Sequence, residues 1–540
     1  MEREESPSVG TGLAAAAIVV AIGFLGSRLL GLLRTVVIAK SFGTSPELSA
    51  YWVAFRLPDM IFQLLAGATL ASAFIPVFSR YFTRRSSEEA WRLASSVLNL
   101  VFIATIAFAI LGFILAPWFI PLIAPGLGED TGRQAELHSL ATDLTRIMLI
   151  SPIFFSVSGM FMGILNARHH FLFPALAPWT YNLSIIVAAL VSDRVEALAI
   201  AVAVGSALHL LIQIPGLQLV GMIYKPVAQW RDEGVREVGR LMLPRVLGLA
   251  AVQINFLVTM FFASLVSDEA ISGINYAWLI IMTPVGLFGM AISTAVFPTL
   301  AEQAAVERRD ELRHTLSLSL RLILFLTLPA SVGLMILGKP LVTFLFEHGA
   351  FTAASTDITV AALLFYSIGL FAHSGIEILS RGFYALSDTR TPVAFAITSM
   401  IANLILCLIF VGPFGVRGLG LALSLSAILE FYLLFRVLRR RTFGLDEGHI
   451  INSVTRMVAA TVLMAETVGL FLIFLKVTGH STTSSLGDAF LALVGGGIVG
   501  AGTFLLAASK LGSEEVAIIR SRLPAPRISA WLGRGGADAS

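Results

Sequence analysis

Long apolar stretches, fourteen in all, dominate this sequence. An α-helix needs about 20 apolar residues to cross roughly 30 Å of hydrocarbon, and each stretch reaches about that length. Only 13% of the residues are charged, so lipid has to be the solvent for much of the apolar surface. The stretches are continuous and do not alternate, which argues against a membrane β-barrel. We therefore predict an all-α polytopic membrane protein with spans near 12–39, 50–78, 94–120, 138–165, 173–192, 196–220, 241–266, 270–300, 316–338, 358–384, 392–412, 416–437, 452–476 and 487–509.

The distribution of Lys and Arg between spans predicts the orientation, because short cytoplasmic loops collect these residues. Segments that follow even-numbered spans hold seventeen of them: Arg80, Arg84, Arg85, Arg92, Arg168, Lys225, Arg231, Arg236, Arg240, Arg308, Arg309, Arg313, Arg390, Arg436, Arg439, Arg440 and Arg441. Segments that follow odd-numbered spans hold six: Lys40, Arg133, Arg194, Lys339, Arg417 and Lys476. This alternation places both termini in the cytoplasm.

A weak internal repeat relates the two halves of the chain. Spans two and eight both carry a proline near their ends, Pro76 and Pro298, and spans five and eleven both begin near a proline, Pro174 and Pro392. The offsets are 222 and 218 residues. Two six-helix lobes related by a pseudo-two-fold axis along the membrane normal, with substrate between them, would give this pattern. Chance recurrence of such turns in a membrane protein is the alternative.

These features predict seven regions: a cytoplasmic N-terminal segment at 1–11, a first lobe at 12–220, a cytoplasmic linker at 221–240, a second lobe at 241–438, a basic loop at 439–451, two further spans within 452–509, and a basic cytoplasmic tail at 510–540 that we expect to be flexible.

Three arginines lie inside the first two spans, where a charge costs about 2.5 to 3.5 kcal/mol on insertion scales. They are Arg28, Arg34 and Arg56, and Asp59 is the one obvious carboxylate near them. Guanidinium groups stay charged and present planar forks of donors that suit phosphate oxygens. A cationic cavity that binds a phosphate-bearing ligand is one interpretation. The other is that Arg34 and Arg56 reach the outer interface and only Arg28 is buried.

A second polar group lies in span ten, where His373, Glu377 and Arg381 recur at every fourth residue on one helix face. A proton relay and a structural ion-pair ladder both fit this spacing, and the ladder is favoured. Gly495, Gly496 and Gly497 lie inside the last span and indicate helix packing.

Other chemistries find little support in the sequence. The single cysteine, Cys407, excludes a disulfide framework and a cysteine-based metal site. No G-x-x-x-x-G-K-[ST] loop or H-E-x-x-H motif occurs, and no domain-wide basic field indicates nucleic acid. We expect no cofactor and no resident metal.

Several short segments resemble the MurJ (MviN) family of lipid II flippases, within the larger group of multidrug, oligosaccharidyl-lipid and polysaccharide exporters. The segments are Ser27–Arg34, Ala39–Gly43, Ala54–Pro58, Ala73–Phe78, Gly163–Ala167, His348–Phe351, Phe383–Leu386, Asp388–Pro392 and Gly415–Ser424. They touch spans one to twelve.

The resemblance implies two six-helix lobes around a central V-shaped cavity and two C-terminal spans that form a groove for a lipid tail. It also implies that Arg28, Arg34 and Arg56 bind a pyrophosphate. The sequence departs from the family pattern in span eight, where Trp278 and Leu279 replace an Asp-Arg pair. The family's sodium site does not carry over, because span eleven contains no acidic residue.

We therefore expect a monomeric flippase in the bacterial cytoplasmic membrane. Its partners would be a lipid-linked cell-wall precursor, most simply lipid II, and membrane lipids, with the coupling ion undetermined. Export of another polyprenyl-pyrophosphate-linked oligosaccharide is the first alternative. A membrane enzyme that acts on polyprenyl phosphates is the second, and its acidic groups would come from the exported segment Pro121–Ser139 with Glu129, Asp130 and Glu136.

Overall fold

The computed structural model describes residues 9–65, 68–129, 132–480 and 485–522, and this part of the chain is helical without a β-strand. The prediction of an all-α protein is confirmed. The helices are α1 (Val9–Phe42), α2 (Pro46–Leu65), α3 (Ala68–Arg84), α4 (Ser87–Ile123), α5 (Gln134–Met148), α6 (Ile150–Ala167), α7 (Leu172–Val191), α8 (Val195–Leu211), α9 (Ile214–Leu219), α10 (Glu233–Ser264), α11 (Asp268–Pro284), α12 (Ala291–Ala305), α13 (Arg309–Phe346), α14 (Ala353–Ile368), α15 (Leu370–Ala385), α16 (Arg390–Phe414), α17 (Val416–Arg441), α18 (Glu447–Val477), α19 (Leu486–Lys510) and α20 (Glu514–Arg522).

Helices occupy all fourteen predicted spans. Within the described residues, ten helices are long and apolar enough to cross a membrane, or twelve if two bent pairs each count as one span. The first two predicted spans, which correspond to α1 and to α2 with α3, lie outside that count. Several spans consist of two helices in succession, and a π-helical segment, Val285–Met290, joins α11 to α12. Such breaks are tolerated in a bundle because neighbouring helices satisfy the freed backbone groups.

The lipid-facing character of the helices is clear on α4. Its middle exposes Ile103, Phe108, Ile110, Phe113 and Ile114, each at least half exposed or close to it. A soluble helix would bury such a face, whereas a helix in hydrocarbon does not need to. Ser86 caps the start of α4 by accepting a hydrogen bond from the Glu89 amide. The sequence thus defines both the start of the helix and its environment.

The chain forms two compact units. The first comprises Met1–Met282, Leu341–Gly369 and Asp388–Leu433, and the second comprises Thr283–Pro340, Leu370–Ser387 and Leu434–Ser540. The predicted lobes at 12–220 and 241–438 and the other predicted region boundaries stay a prediction. Residues 1–8 of the predicted N-terminal segment and residues 523–540 of the predicted tail lie outside the described residues.

In the first unit, an aromatic core joins α3 to α4. The rings of Phe74 and Phe78 stack at 5.1 Å, and the Phe78 ring lies 5.5 Å from that of Trp91. Elsewhere α1 packs closely on α7: the Trp179 indole donates a hydrogen bond to the Gly23 carbonyl at 3.0 Å. A Cβ at Gly26 would lie only 2.1 Å from the Trp179 ring, so this contact requires glycine.

The repeat predicted from the two proline pairs has a local structural counterpart in the first unit and at its boundary. Pro174 and Pro392 are each the third residue of a helix, α7 and α16. Five residues before each proline stands a non-glycine residue in the left-handed region, His169 and Ser387, both with φ of 58°. L-residues rarely adopt this conformation, so its recurrence at the same offset supports a true repeat.

In the second unit, the two last spans pack through small residues. A Cβ at Gly500 of α19 would lie 3.0 Å from Val468 of α18, and one at Gly496 would lie 2.8 Å from Leu337 of α13. Within the predicted glycine run, a Cβ at Gly495 would lie 2.6 Å from Phe471 of α18, so Gly495 and Gly496 serve helix packing as predicted, whereas a Cβ at Gly497 would meet no described atom within 4 Å. The expected flexible tail is wrong for its first part, because α20 is a helix whose Glu515 side chain is 1% exposed.

Candidate functional site

Arg56 of α2 points its guanidinium group toward α10 and α11 within the first unit. Its Nη2 donates a hydrogen bond to Asn275 Oδ1 of α11 at 2.9 Å. The guanidinium carbon lies 5.2 Å from the centre of the Phe256 ring of α10, within range of a cation–π interaction. Arg56 is therefore held from two sides, by one neutral amide and one aromatic face.

Arg34 of α1 lies beside two tyrosines. Its guanidinium carbon is 5.8 Å from the centre of the Tyr181 ring of α7. It also interacts electrostatically with the hydroxyl groups of Tyr51 and Tyr181. No carboxylate among the described residues forms a salt bridge with Arg34.

Electrostatic interactions link these two arginines into one group. Asp59 of α2 lies close enough to Arg56 and to Tyr181 for its charge to act on both, and the Tyr181 ring lies beside Arg34. We call Arg34, Tyr51, Arg56, Asp59 and Tyr181 the arginine cluster. It contains two guanidinium groups and one carboxylate, so it carries a surplus of positive charge.

Both arginines of the cluster keep a buried N–H group without a protein acceptor. The Nε atoms of Arg34 and Arg56 are shielded from solvent and have no hydrogen-bond partner among the described residues. Most buried donors in proteins are paired, and an unpaired one costs about 1 to 3 kcal/mol or more when charged. Two such donors therefore lie in the arginine cluster.

Arg28 is placed differently from the other two predicted ligands. Its side chain is exposed on α1, whereas those of Arg34 and Arg56 are half-buried. This order is the reverse of the alternative in which only Arg28 is buried. The structure therefore places Arg34 and Arg56 together at half-buried positions and Arg28 at an exposed position of the same helix as Arg34.

The departure from the family pattern in span eight has a visible consequence next to the cluster. Trp278 packs edge-on against Phe256 at 5.6 Å and against Tyr366 at 5.9 Å between ring centres. Phe256 is the ring that lies under Arg56. Aromatic side chains thus pack beside Arg56 at a position where the family pattern has a charged pair.

Hydrogen bonds close the end of α1 and the start of α2 against later parts of the first unit. The Ala350 amide donates to the Lys40 carbonyl at 2.8 Å, and the Tyr276 hydroxyl donates to the Gly43 carbonyl at 2.9 Å. The Ser49 hydroxyl donates to the Asp268 carbonyl at 2.6 Å. We call this set of contacts the closed end.

Glycine is required at two positions of the closed end. Gly43 and Gly349 both have φ of 60°, in the left-handed region. A Cβ at Gly43 would lie 2.3 Å from the Ala350 carbonyl oxygen, and one at Gly349 would lie 2.4 Å from the Lys40 carbonyl oxygen. Only residues without a side chain allow the two backbones to approach this closely.

The polar group of span ten lies on α15 in the second unit. Arg381 Nη1 pairs with Glu377 Oε2 at 3.1 Å, and Arg381 Nη2 donates to Thr294 Oγ1 of α12 at 2.9 Å. This pairing fits the structural ladder. The role of His373, Glu377 and Arg381 stays a prediction.

The segment Pro121–Ser139, which we predicted to be exported and considered for an enzyme, contains ion pairs. Arg133 binds Glu136 at 2.6 Å and Glu47 at 2.8 Å, and these two carboxylates raise the pKa of the Arg133 guanidinium. Asp130 lies outside the described residues. No group of three or more metal-binding side chains occurs in the described parts of the chain.

Sequence reasoning missed the residues that hold Arg56. Asn275 directly precedes the Tyr276 segment in which the sequence departs from the family pattern, and a lone amide in an apolar span is a detectable signal. Phe256 gives no such signal, because it is one of 38 phenylalanines.

Comparison with known proteins gives a consistent result. The family model described as "Lipid II flippase MurJ" matches residues 38–486. A probable lipid II flippase MurJ of Vibrio cholerae is 32% identical over 443 residues, which cover 79% of this chain and 83% of that protein. The lipid II flippase MurJ of Burkholderia cenocepacia is 31% identical over 448 residues, which cover 81% and 86%.

Solved structures agree with the sequence matches. The structure titled "Lipid II flippase MurJ, inward closed conformation" aligns with a TM-score of 0.75 and 27% identity, covering 91% of this chain and 98% of that one. An inward-facing multidrug transporter of the MATE family aligns with a TM-score of 0.63 and 17% identity, covering 80% and 99%. The second likeness shows a shared fold alone.

Proposed function

The chain belongs to the MurJ family of lipid II flippases, and on that premise we propose that it moves lipid II, the polyprenyl-pyrophosphate-linked cell-wall precursor, from the inner to the outer leaflet of the cytoplasmic membrane. The observation that carries the proposal is the family match over residues 38–486. The protein is then a multi-pass membrane transporter whose partners are the lipid-linked precursor and the surrounding lipids.

The arginine cluster supports a pyrophosphate site. Moving a polar head group through hydrocarbon without compensation would cost several kcal/mol for each polar group. Pyrophosphate oxygens would supply acceptors for the Nε–H groups of Arg34 and Arg56, which have no acceptor within the described residues. Charge-assisted hydrogen bonds of this kind are about twice as strong as neutral ones. We assign Arg34 and Arg56 as the residues that bind the head group inside the protein. Arg28 is exposed on the same helix as Arg34, and we assign it to bind the head group first, as it enters.

Alternating access is supported by the closed end. If the termini are cytoplasmic, the C-terminal end of α1 lies on the exported side, so the contacts of Lys40 and Gly43 seal that side. Cargo would enter from the cytoplasm and leave after these contacts open. One lobe would rock against the other, as in other transporters built from repeats.

We infer that the protein is active as a monomer and performs no covalent chemistry on its cargo. We also infer that α18 and α19 form the groove for the lipid tail. The chain lacks a phosphate loop for ATP, so an ion gradient, the membrane potential or product removal would drive the cycle.

Trp278 and Leu279 stand where the family pattern has a charged pair. This difference favours a second candidate cargo, another polyprenyl-pyrophosphate-linked oligosaccharide. Aromatic side chains beside Arg56 suit the apolar face of a sugar ring, and the pyrophosphate would be held as before. Competition between lipid II and a second lipid-linked oligosaccharide for the purified protein separates the two candidates.

The test is complementation of a bacterial strain depleted of its lipid II flippase, with an assay for precursor accessible at the outer surface. We expect the wild-type chain to restore growth and accessibility, and Arg34→Ala and Arg56→Ala to fail although both reach the membrane. Arg146→Ala is the matched control, because Arg146 of α5 also lies over an aromatic ring, that of Phe113, at 4.9 Å. Full activity of both cluster variants would overturn the assigned site.

A further inference from the structure

A basic cleft lies where α17 ends and α18 begins, in the second unit. Arg436, Arg439, Arg440, Phe443, Gly444 and Glu447 line it, and its volume is about 570 Å³. That volume falls within the range of about 300 to 1,000 Å³ that is usual for small-molecule sites. Neither the transport cycle nor the arginine cluster uses this cleft.

The charges of the basic cleft leave two arginines available to a ligand. Arg436, Arg439 and Arg440 lie three and four residues apart, on one face of α17. Arg439 forms an ion pair with Glu447. Arg436 and Arg440 have no hydrogen-bond or ion-pair partner within the described residues, and both are exposed. The cleft is therefore positive, with two guanidinium forks that face no protein carboxylate.

The loop beside these arginines is strained and held in place. Phe443 and Asp446 adopt φ of 57° and 54°, a conformation that non-glycine residues rarely adopt, and Gly444 between them has φ of 121°. Arg313 binds Asp446 at 3.0 Å, and the Thr442 hydroxyl donates to the Gly444 carbonyl at 2.8 Å. Backbone strain of this kind persists only where surrounding contacts enforce it, and it clusters at binding sites.

This loop presents an aromatic ring next to the cations. Phe443 is 73% exposed, although it is among the largest apolar side chains. The Arg309 guanidinium lies 5.3 Å from the centre of its ring and adds a fourth positive charge to the neighbourhood. An exposed aromatic residue flanked by arginines is the arrangement of a membrane-interface anchor, with one part in lipid and one beside head groups.

The position of the cleft indicates which kind of ligand it binds. It joins two helices that are each able to cross a membrane, α17 and α18, so it lies at a membrane surface. The Lys and Arg distribution assigns that surface to the cytoplasm, where anionic lipids create a negative potential. We propose that the basic cleft binds the phosphate head group of an anionic phospholipid, with Arg436 and Arg440 on the phosphate and Phe443 against the adjoining apolar part of the lipid.

Phosphatidylglycerol binding by the purified full-length chain in mixed micelles tests the proposal, with phosphatidylcholine as the reference lipid. The variant is the double substitution Arg436→Gln with Arg440→Gln. Each substitution would remove a charge-assisted hydrogen bond to the lipid phosphate, so we expect an apparent Kd about thirty-fold higher for phosphatidylglycerol and little change for phosphatidylcholine. An unchanged Kd would overturn the proposal.

The matched control removes the same charge from the same predicted membrane side. Arg84→Gln with Arg240→Gln changes two exposed arginines outside the cleft, and we expect its Kd for phosphatidylglycerol to stay within about two-fold of wild type. An equal loss in both double variants would show a diffuse charge effect and would overturn the assignment of a site.

Inorganic phosphate and glycerol 3-phosphate, added as competitors, distinguish a lipid from a soluble phosphate. We expect weak competition from both, and we expect Phe443→Ala to weaken phosphatidylglycerol binding without changing the effect of the soluble compounds. Strong competition by inorganic phosphate, together with full lipid binding by Phe443→Ala, would overturn the lipid assignment. Because these measurements need no transport, their outcome is independent of the proposed flippase activity.

Discussion

Arg321 of α13 and Glu515 of α20 form an ion pair in which both side chains are almost fully buried, 7% and 1% exposed, with 3.5 Å between Nε and Oε1. Hydroxyl groups of Ser453 and Ser513 donate to the same carboxylate at 2.6 and 2.7 Å. Glu514 binds Arg321 from the other side at 2.9 Å. This network fixes α20 to α13 through Arg321 and to α18 through Ser453.

We predict that Glu515→Gln destabilises the protein strongly. The variant keeps the shape of the side chain and removes the buried carboxylate charge, which leaves buried Arg321 with the more exposed Glu514. Breaking a buried ion pair from one side costs on the order of 3 to 5 kcal/mol. Thermal unfolding of the purified chain in detergent should show a clearly lowered midpoint.

Glu514→Gln is the matched control for this substitution. It also removes a carboxylate from Arg321, but the Glu514 side chain is 59% exposed, and exposed ion pairs contribute only about 0 to 1 kcal/mol. Equal destabilisation by the two variants would contradict the assigned importance of burial.

Stability should also fall in acid through Glu515. Burial opposes ionisation, but hydrogen bonds from Ser453 and Ser513 and the charge of Arg321 outweigh it, so the pKa of Glu515 lies below its ordinary value of 4.5. A lowered folded-state pKa gives stability that is complete above the unfolded-state pKa and disappears as the pH falls through the folded-state pKa. We therefore expect the difference in melting temperature between wild type and Glu515→Gln to be constant near neutral pH and to shrink below about pH 4.5. A difference that persists unchanged in strong acid would contradict this account.

The network around Glu515 shows what the sequence could and could not predict. Apolar length alone located helices at all fourteen predicted spans, of which ten to twelve are long and apolar enough to cross a membrane, because the hydrocarbon thickness imposes that length. Arg321 and Glu515 are 194 residues apart, and neither local charge nor hydropathy reveals that they meet. The segment after Lys510 was therefore expected to be flexible, whereas its helix α20 is fixed by tertiary contacts.

The candidate site divides in the same way. Charge inside an apolar span marked Arg34 and Arg56, because insertion of an unneeded charge is costly. The sequence did not distinguish exposed Arg28 from half-buried Arg34, since six residues of helix rotation leave the orientation of α1 undetermined. The partner of Arg56, Asn275, depends on how α11 packs against α2, which is a tertiary fact.

We predict that the charge at position 275 controls cargo binding. Asn275 accepts a hydrogen bond from Arg56 and adds no charge. Asn275→Asp would give Arg56 a carboxylate partner and neutralise part of the positive surplus, so we expect a loss of precursor binding of about tenfold or more. Asn275→Ala removes the hydrogen bond but keeps the charge balance, and we expect a smaller loss.

Precursor binding to the purified protein and complementation of the flippase-depleted strain measure this difference. Thermal unfolding is the control, because Asn275→Asp should leave the protein at least as stable as Asn275→Ala while binding less cargo. Tighter binding by Asn275→Asp than by Asn275→Ala would show that the positive charge of Arg56 is not what holds the ligand.

The closed end provides the last prediction. A methyl group at Gly349 would lie 2.4 Å from the Lys40 carbonyl oxygen, and the residue would also keep a φ of 60°. We expect Gly349→Ala to destabilise the closed end by about 1 to 3 kcal/mol and to shift the population toward a state in which Lys40 and Ala350 are apart. Cross-linking of cysteines placed at positions 40 and 350 should then fall, and the exported side should become more accessible to a soluble thiol reagent.

Gly132→Ala separates the steric effect from backbone strain. Gly132 also has a left-handed φ, 66°, but no atom of the described residues lies within 4 Å of the position its Cβ would take. Gly132→Ala therefore introduces an unfavourable backbone conformation without a steric clash. Cross-linking between positions 40 and 350 should stay at the wild-type level. An alternating-access transporter must form the state in which these contacts are closed in every cycle, so Gly349→Ala should also complement poorly. Normal cross-linking in Gly349→Ala would show that the close backbone approach of Lys40 and Gly349 does not hold this end shut.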